Sequence, residues 1–273
     1  WNASRYVLMN LTIEKTGLPA ADKLEIEDKW VLSRLNTLIR EVTENLDSYE
    51  LGVASSKVYD FIWDTYCDWY IELTKARLYG ENQESKETAQ QVLVYVLDQI
   101  LRLLHPFMPF ITEEIWQAIP HEGDFLMKAQ WPVASDALAF PGEEAAMESV
   151  MNAIRAVRAR RADLNVPPSR KSHLYIVSDK GDIFRQGAAF ITRLAYASEL
   201  SVSDTAPAGH EDMVSAVTAD AALYMPMNEL VDVEKELQRL AKEIEKAEKN
   251  IAGLKGKLSN ENFVSRAPEH VVN

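Results

Sequence analysis

The chain has few of the residues on which many chemical sites depend. Among its 273 residues Cys67 is the single cysteine, which excludes an internal disulfide and any zinc site built on cysteines. The five histidines lack the spacing of metal ligands. No run of about eighteen apolar residues occurs, and no basic stretch followed by an apolar one opens the chain. We therefore expect no structural metal, no membrane span and no secretory signal, as in a cytoplasmic protein.

Motifs of the common catalytic sites are also missing. The sequence has no glycine-rich phosphate loop, no Gly-x-Ser-x-Gly, no His-Glu-x-x-His and no Cys/His pair at a useful spacing. Carboxylate pairs such as Glu113 and Glu114 stand on helix faces that we expect to be solvated. We therefore predict no catalytic residue and no cofactor in this chain.

The net charge of -13 argues, taken alone, against a partner with a phosphate backbone. One segment differs from the rest, because residues 151–171 hold six basic residues and one acid, Asp163. Screening makes a contact sensitive mainly to charges within about 10 Å, so a local basic patch can still bind RNA. A solvated helix face is the alternative interpretation of this patch.

Residues 1–135 are predicted to form an antiparallel helix bundle. Apolar periodicity predicts helices in these segments: residues 1–10, about 28–47, about 50–79, about 86–104, and a last one after Pro106. The third helix is rich in aromatics and carries the large residues Trp69, Tyr70 and Ile71 in succession. Because consecutive residues cannot all point inward on a regular helix, we expect one of them to face a neighbouring domain or a ligand.

In residues 136–228 predicted helices alternate with predicted strands, so these residues are predicted to form a small α+β module. Their segments, in order, are a helix at about 143–164, a strand at 173–177, a helix at about 182–196, a strand at 199–202, and further strands near 213–217 and 222–225. The fold class is therefore mainly α, with a helix bundle followed by this module.

Residues 229–273 carry the sharpest pattern, a long C-terminal heptad helix. Apolar residues recur at steps of four and three, at positions 233, 237, 240, 244, 247, 251, 254 and 258. Such a seam is buried against another helix, and no partner helix follows in the sequence. We interpret the segment as the first arm of a truncated coiled coil and expect the chain to be a piece of a larger protein. The alternative is a dimerisation device in a helical scaffold with no RNA role.

Arg5 and Tyr6, with Asn2, place a cation beside an aromatic ring in the first helix. If exposed, such a pair can hold a phosphate and stack on a splayed base. The alternative is that Tyr6 belongs to the core and Arg5 is a surface charge.

Five separated motifs closely resemble the C-terminal part of bacterial valyl-tRNA synthetase. They are WNASRYVLMN at 1–10, FIWDTYCDWYIELTK at 61–75, LHPFMPFITEEIW at 104–116, the IRAVR to NVPPSRK segment at 154–171, and LSNENFVSRAP at 258–268. The resemblance covers essentially the whole chain and implies an anticodon-binding bundle of the class Ia type, a junction module and a coiled-coil arm. Isoleucyl and leucyl enzymes are the alternatives; the former usually ends in a Cys-rich zinc module and the latter lacks the heptad arm.

The resemblance implies binding of tRNA(Val), with ATP used by an N-terminal catalytic domain of the same polypeptide. It implies that Tyr6 stacks on the anticodon, that Arg5 contacts a phosphate or base edge, and that Ile71 makes an apolar contact. Asn2 and Lys75 are weaker candidates. Further candidates for backbone phosphates are Arg155, Arg158, Arg161, Lys235, Arg239, Lys242, Lys246 and Lys249. The full-length enzyme is expected to be monomeric, whereas the exposed seam allows this chain to self-associate.

Overall fold

The computed structural model describes residues 1–14, 17–231 and 233–258, and side-chain surroundings in the last helix for residues 241–255. The chain is mostly helical and contains one small mixed sheet of four strands. It divides into two compact units, Trp1–Met151 and Asn152–Asn273. None of the helices within the described ranges is long and apolar enough to cross a membrane.

The first unit is built from helices at the positions that apolar periodicity predicts. They are α1 (Asn2–Met9), α2 (Ile26–Asp47), α3 (Leu51–Asp60), α4 (Ile71–Leu78), α5 (Gln83–Leu104) and α6 (Pro109–Trp116). Short 3-10 turns lie at Ala21–Lys23, Leu126–Lys128 and Asp136–Leu138. The Asn82 side chain caps α5 by accepting a hydrogen bond from the Ser85 amide at 3.1 Å.

A π-helical segment, Phe61–Tyr70, joins α3 to α4 without a break, since the backbone stays right-handed helical at both junctions. The expectation that one of Trp69, Tyr70 and Ile71 faces outward is wrong: their exposed fractions are 9%, 0% and 6%. Two helices surround this segment. Tyr66 donates to the carbonyl of Leu93 in α5 at 2.9 Å, whereas Tyr70 donates to Asp28 in α2 at 2.7 Å.

Packing against two helices explains the burial of three successive large side chains. A helix that is covered from two directions buries a wider arc than one amphipathic stripe, and the wider π-turn shifts the phase of the side chains. The 3.6-residue period that predicts the helix therefore gives no information on which of these residues is exposed.

An extended segment after α6 runs back along one face of α2. Its hydrogen bonds reach successively earlier residues of α2, so the segment is antiparallel to the helix. The bonded pairs are Trp131 with Thr43 (2.8 Å), Ser135 with Asn36 (2.7 Å), Phe140 with Ser33 (2.9 Å) and Glu143 with Lys29 (3.1 Å). These bonds tie residues 131–143 to the first unit. The division of the chain at 135 and 228 stays a prediction about functional parts.

The second unit contains a helix that crosses the unit boundary and a two-layer α+β arrangement. Its elements are α7 (Pro141–Asp163), β1 (Ser172–Val177), α8 (Gly181–Gln186), α9 (Ala188–Leu194), β2 (Ala197–Ser203), β3 (Met213–Val217), β4 (Ala222–Pro226), α10 (Met227–Leu230) and α11 (Val233–Leu258). The predicted strands are confirmed. The predicted helix at 182–196 is instead two short helices, because the chain breaks at Gly187 between them.

The sheet has the order β2-β1-β4-β3, with β1 parallel to β2 and antiparallel to β4. Strand β3 pairs with β4 in an antiparallel hairpin. One sheet face is buried, through Leu174, Ile176, Leu223 and Met225, and α8 and α9 pack on the sheet. The opposite face is only half-buried, so the two faces differ along β1 and β4.

Helix α11 (Val233–Leu258) lies in the segment that carries the heptad pattern, and the pairing of its seam with another helix stays a prediction. Within residues 241–255 every side chain is exposed, including the seam residues Ile244 (59%), Ile251 (51%) and Leu254 (59%). The remaining large seam residues lie outside the described side chains. In its described part, the apolar seam is therefore open to solvent.

Candidate nucleic-acid interface

Tyr6 in α1 lies against the outer face of α4. The Lys75 ammonium nitrogen is 5.6 Å from the centre of the Tyr6 ring, and the Tyr6 hydroxyl is hydrogen-bonded to the Tyr79 hydroxyl at 3.2 Å. Lys75 also pairs with Glu72 on α4. We call Tyr6, Lys75 and Tyr79 the Tyr6 cluster. It places a cation over an aromatic ring at a surface that an RNA can reach.

The structure thus brings together two residues that the sequence nominates separately, Tyr6 and Lys75. Sequence reasoning missed the third, Tyr79, which is 67% exposed. A signal was available, because residues four apart on a helix share a face and Tyr79 follows Lys75 by four.

Arg5 and Asn2 are both exposed on α1. Arg5 lines a small groove with Trp1 and Leu8 of the same end of the chain and Ile115 of α6. Arg5 therefore faces α6, whereas the neighbouring Tyr6 faces α4. A ligand that stacks on Tyr6 has to extend around α1 to reach Arg5.

Ile71 is only 6% exposed, so its side chain presents little surface to a ligand. It lies one helical turn before Lys75 on α4. Ile71 is thus part of the buried core at the start of α4.

The arginines at the end of α7, and Arg170 in the loop that follows it, mostly donate hydrogen bonds to main-chain carbonyls of their own unit. Arg158 bonds to Leu194 O (2.7 Å), Arg160 to Ser215 O (2.9 Å), Arg161 to Pro167 O (3.2 Å) and to Arg170 O, and Arg170 to Glu229 O (2.6 Å). These arginines therefore link α7 to the loops and strands around it.

Arg161 is the most enclosed of these arginines, at 3% exposure. Its guanidinium lies against the Tyr196 ring, 5.5 Å from the ring centre. Burial lowers the pKa of the Arg161 guanidinium from its usual value. Because the side chain is directed inward, Arg161 is not part of the phosphate-binding surface that we propose below.

Arg155 and Arg158 remain at the surface. Arg155 bonds to the Asn152 side chain at 2.9 Å, and Arg158 lies 5.8 Å from the Tyr196 ring centre. On α11, the side chains of Lys242, Lys246 and Lys249 are exposed, and Lys249 pairs with Glu245 at 2.5 Å. The side chains of Lys235 and Arg239 lie outside the described residues.

Comparison with known proteins assigns the chain to a protein family. Residues 28–176 match the family model of the anticodon-binding domain of tRNA ligase. The chain belongs to this family. Residues 232–273 match a second family, the valyl tRNA synthetase tRNA binding arm. The predicted resemblance is thus confirmed.

Individual proteins are similar to this chain along its whole length. The valine–tRNA ligase of Clostridium acetobutylicum is 44% identical over 275 residues, which cover 100% of this chain and 31% of that protein. The valine–tRNA ligases of Clostridium tetani and Enterococcus faecalis are 48% and 42% identical, again over 100% of this chain and 31% of each relative. The chain spans about a third of the length of these relatives.

The two family matches cover different parts of the candidate interface. The anticodon-binding match contains Lys75 and Tyr79 and ends at Ile176 in β1, whereas Tyr6 precedes it. The tRNA-binding-arm match contains the lysines of α11. Most of the four-stranded sheet lies between the two matches.

A buried charged cluster fixes the helix that carries Lys75 and Tyr79. Arg77 of α4 bonds to Glu27 Oε1 at 2.9 Å and to Asp28 Oδ2 at 2.8 Å, both at the start of α2. Arg77 Nε also donates to the Ser85 hydroxyl at 2.8 Å. Tyr70 bonds to the other oxygen of Asp28. The cluster therefore locks α4 to α2.

Burial dominates the electrostatics of this cluster. Desolvation, reinforced by Asp28, raises the pKa of Glu27 to about 7, and Glu27 Oε2 has no hydrogen-bond partner. Desolvation also raises the pKa of Asp28, while Arg77 opposes that shift. Sequence reasoning missed this cluster, because acids at the start of a helix usually remain in water.

The described residues contain no group of three or more His, Cys, Asp or Glu side chains that could hold a metal ion. The chemistry that this arrangement supports is binding. An aromatic ring, nearby cations and hydroxyls can contact a base and the adjacent phosphate.

Proposed function

We propose that the chain is the tRNA-binding portion of a valine–tRNA ligase. In this proposal it recognises the anticodon stem-loop of tRNA(Val) and supports the tRNA body, while an N-terminal catalytic domain of the same polypeptide joins valine to the tRNA with ATP. The observation that carries the proposal is that an anticodon-binding match and a valyl tRNA-binding-arm match occur in one chain. The three relatives described above are valine–tRNA ligases, which favours a valyl over an isoleucyl or leucyl enzyme.

The anticodon contact is assigned to the Tyr6 cluster with Arg5 and Asn2. Lys75 lies over the Tyr6 ring, and stacking of an anticodon base is assigned to this ring. The Lys75 ammonium is then close to the phosphate that follows that base. In this proposal Ile71 contributes indirectly, as a buried residue of α4, the helix that carries Lys75.

The tRNA backbone contact is assigned to exposed cations of the second unit. Arg155 and Arg158 contribute from α7, and the lysines at 242, 246 and 249 contribute from α11. In the whole protein, α11 pairs with a following helix into an antiparallel coiled coil, which covers the seam at Ile244, Ile251 and Leu254. We expect that protein to be monomeric and cytoplasmic.

Equilibrium binding of the 273-residue chain tests this function. The chain is titrated with tRNA(Val) and with the same tRNA carrying a changed anticodon, each at two salt concentrations. We expect tighter binding of tRNA(Val) and an affinity that falls with salt, because phosphate contacts release counterions. Equal affinity for both tRNAs contradicts anticodon recognition.

The exposed seam of α11 favours a second candidate, self-association as a helical scaffold. Light scattering with and without tRNA separates the two candidates. A dimer that has no affinity for tRNA supports the scaffold, whereas a dimer that binds tRNA(Val) shows only that two seams have paired.

A further inference from the structure

The half-buried face of the four-stranded sheet carries aromatic rings on its two central strands. Tyr175 of β1 is paired directly with Tyr224 of β4. Side chains of directly paired residues lie on the same face, with Cβ atoms about 5 Å apart. Both tyrosines are half-buried and alternate with fully buried neighbours, so they lie on the face opposite to the buried core.

Two histidines extend this pair of rings. His173 stacks on Tyr175 with ring centres 4.0 Å apart and 16° between the planes. His210, before β3, meets the Tyr224 ring edge-on at 5.5 Å. We call His173, Tyr175, Tyr224 and His210 the ring platform.

Hydroxyl groups flank the platform on both sides. Ser201 of β2 is opposite Tyr175, and Ser215 of β3 is opposite Tyr224. Ser201 also shares a hydrogen bond with His173 Nε2 at 2.8 Å. The cross-strand row from Ser201 to Ser215 is therefore aromatic in the middle, hydroxylic at its ends and uncharged.

Among the described residues, the acids near the ring platform lie around its two histidines: Glu199 of β2 is 3.7 Å from His173 Nδ1, Glu229 accepts a hydrogen bond from the His173 amide at 2.6 Å, and Glu211 is 4.0 Å from His210 Nδ1. An uncharged row is suited to stacking on a base, because stacking requires the face of a ring and not a positive charge. It does not suit a phosphate, whose binding in the second unit is assigned above to Arg155 and Arg158.

We propose that the ring platform is a second RNA-binding site, which stacks on unpaired bases of the same tRNA. This inference rests on the proposed function. Sheets that bind single-stranded RNA present aromatic side chains on central strands in this way. The platform is also continuous with the two matched RNA-binding segments: β1 lies in the anticodon-binding match, and β4 leads through α10 to the tRNA-binding-arm match.

Tyr175→Ala and Tyr224→Ala in the 273-residue chain test the platform. Each is expected to weaken binding of tRNA(Val) about tenfold. The salt dependence of the affinity should not change, because a stacking contact releases no counterions. Tyr175→Phe keeps the ring and should bind like the parent chain. Val177→Ala, a truncation of a half-buried residue on the same strand face, is the matched control and should also bind like the parent chain.

Ultraviolet cross-linking of the unaltered chain to tRNA(Val) gives a readout that does not depend on the folding of a variant. We expect cross-linked peptides from β1 and β4 as well as from α1. Cross-links at α1 without any at β1 or β4, or a folded Tyr175→Ala chain that binds within twofold of the parent, overturn the platform but leave the proposed function intact. In that event the face is a surface for protein packing. A chain that binds no tRNA overturns the proposed function itself.

Discussion

The Lys75 ammonium lies 5.6 Å from the centre of the Tyr6 ring, although 69 positions separate the two residues in the sequence. This contact joins α1 to α4 at the surface. It puts a positive charge beside an aromatic ring on which, in the proposed function, a base stacks. The two residues are therefore expected to contribute differently to binding, one through stacking and the other through charge.

Tyr6→Ala removes the stacking surface. We expect it to reduce the discrimination between tRNA(Val) and a tRNA with a changed anticodon by about 1 to 3 kcal/mol. Tyr6→Phe keeps the ring and loses only the hydroxyl bond to Tyr79, so its effect should stay within about 0.5 kcal/mol. Equilibrium titration with both tRNAs measures the difference, and equal losses for the two variants would place the stack elsewhere.

Lys75→Gln keeps most of the side-chain length and removes its charge. We expect the slope of log affinity against log salt to become shallower by about 1, as for one lost phosphate contact. Lys128→Gln makes the same change of net charge at an exposed residue of the first unit that does not belong to the Tyr6 cluster. An equal change of slope in both variants would mean that net charge, rather than a local contact, determines the salt dependence.

Arg161→Met is expected to destabilise the second unit. The buried guanidinium donates to the carbonyls of Pro167 and Arg170; the Pro167 carbonyl keeps a second bond from the Arg170 amide, whereas the Arg170 carbonyl loses its bond from Arg161, at a cost of about 1 to 3 kcal/mol. Hydrogen exchange of the β1 and β2 amides measures the loss. The matched control is Arg155→Met on the same helix, which should leave exchange unchanged and reduce the salt dependence of tRNA binding. Unchanged exchange in Arg161→Met would show that the carbonyl bonds are dispensable.

Glu27→Gln tests the pH dependence of the first unit. Folding raises the pKa of Glu27 from 4.5 to about 7, so between these values the folded state binds more protons than the unfolded state. The free energy of unfolding should therefore fall as pH rises through this window, by up to about 3 kcal/mol from this residue. The neutral variant should lose that part of the dependence and gain stability relative to the parent at pH 8.

Tryptophan fluorescence during denaturant unfolding reports this change cleanly, because all six tryptophans precede residue 152. Glu44→Gln, an exposed acid on the same helix, is the control and should keep the dependence of the parent chain. If Glu27→Gln retains the full dependence between pH 4.5 and 7, Glu27 is not the group responsible.

Most helices and strands could be predicted from local sequence patterns. Apolar periodicity places α2 and α5 to within a few residues, and β-branched content places β1. Those patterns work because each element buries one side along its length. They fail at Trp69, Tyr70 and Ile71, where α2 and α5 cover the same segment from two directions.

The candidate interface could be predicted only in part from the sequence. Tyr6 and Lys75 are visible as an aromatic and a cation, but nothing local shows that they meet. The arginines of residues 155–170 look alike in the sequence. Their roles differ because the fold brings the carbonyls of Leu194, Ser215 and Pro167 within reach of Arg158, Arg160 and Arg161, whereas the Arg155 side chain is exposed.

The sequence by itself determined the kind of elements, their order and the family, because these depend on periodicity and on motifs that are contiguous in the chain. The tertiary structure alone decided which charged and aromatic side chains remain available to a ligand. That availability depends on long-range hydrogen bonds and burial: Arg161 and Glu27 are taken into the interior, while Tyr6, Tyr79 and the rings of Tyr175 and Tyr224 stay within reach of solvent.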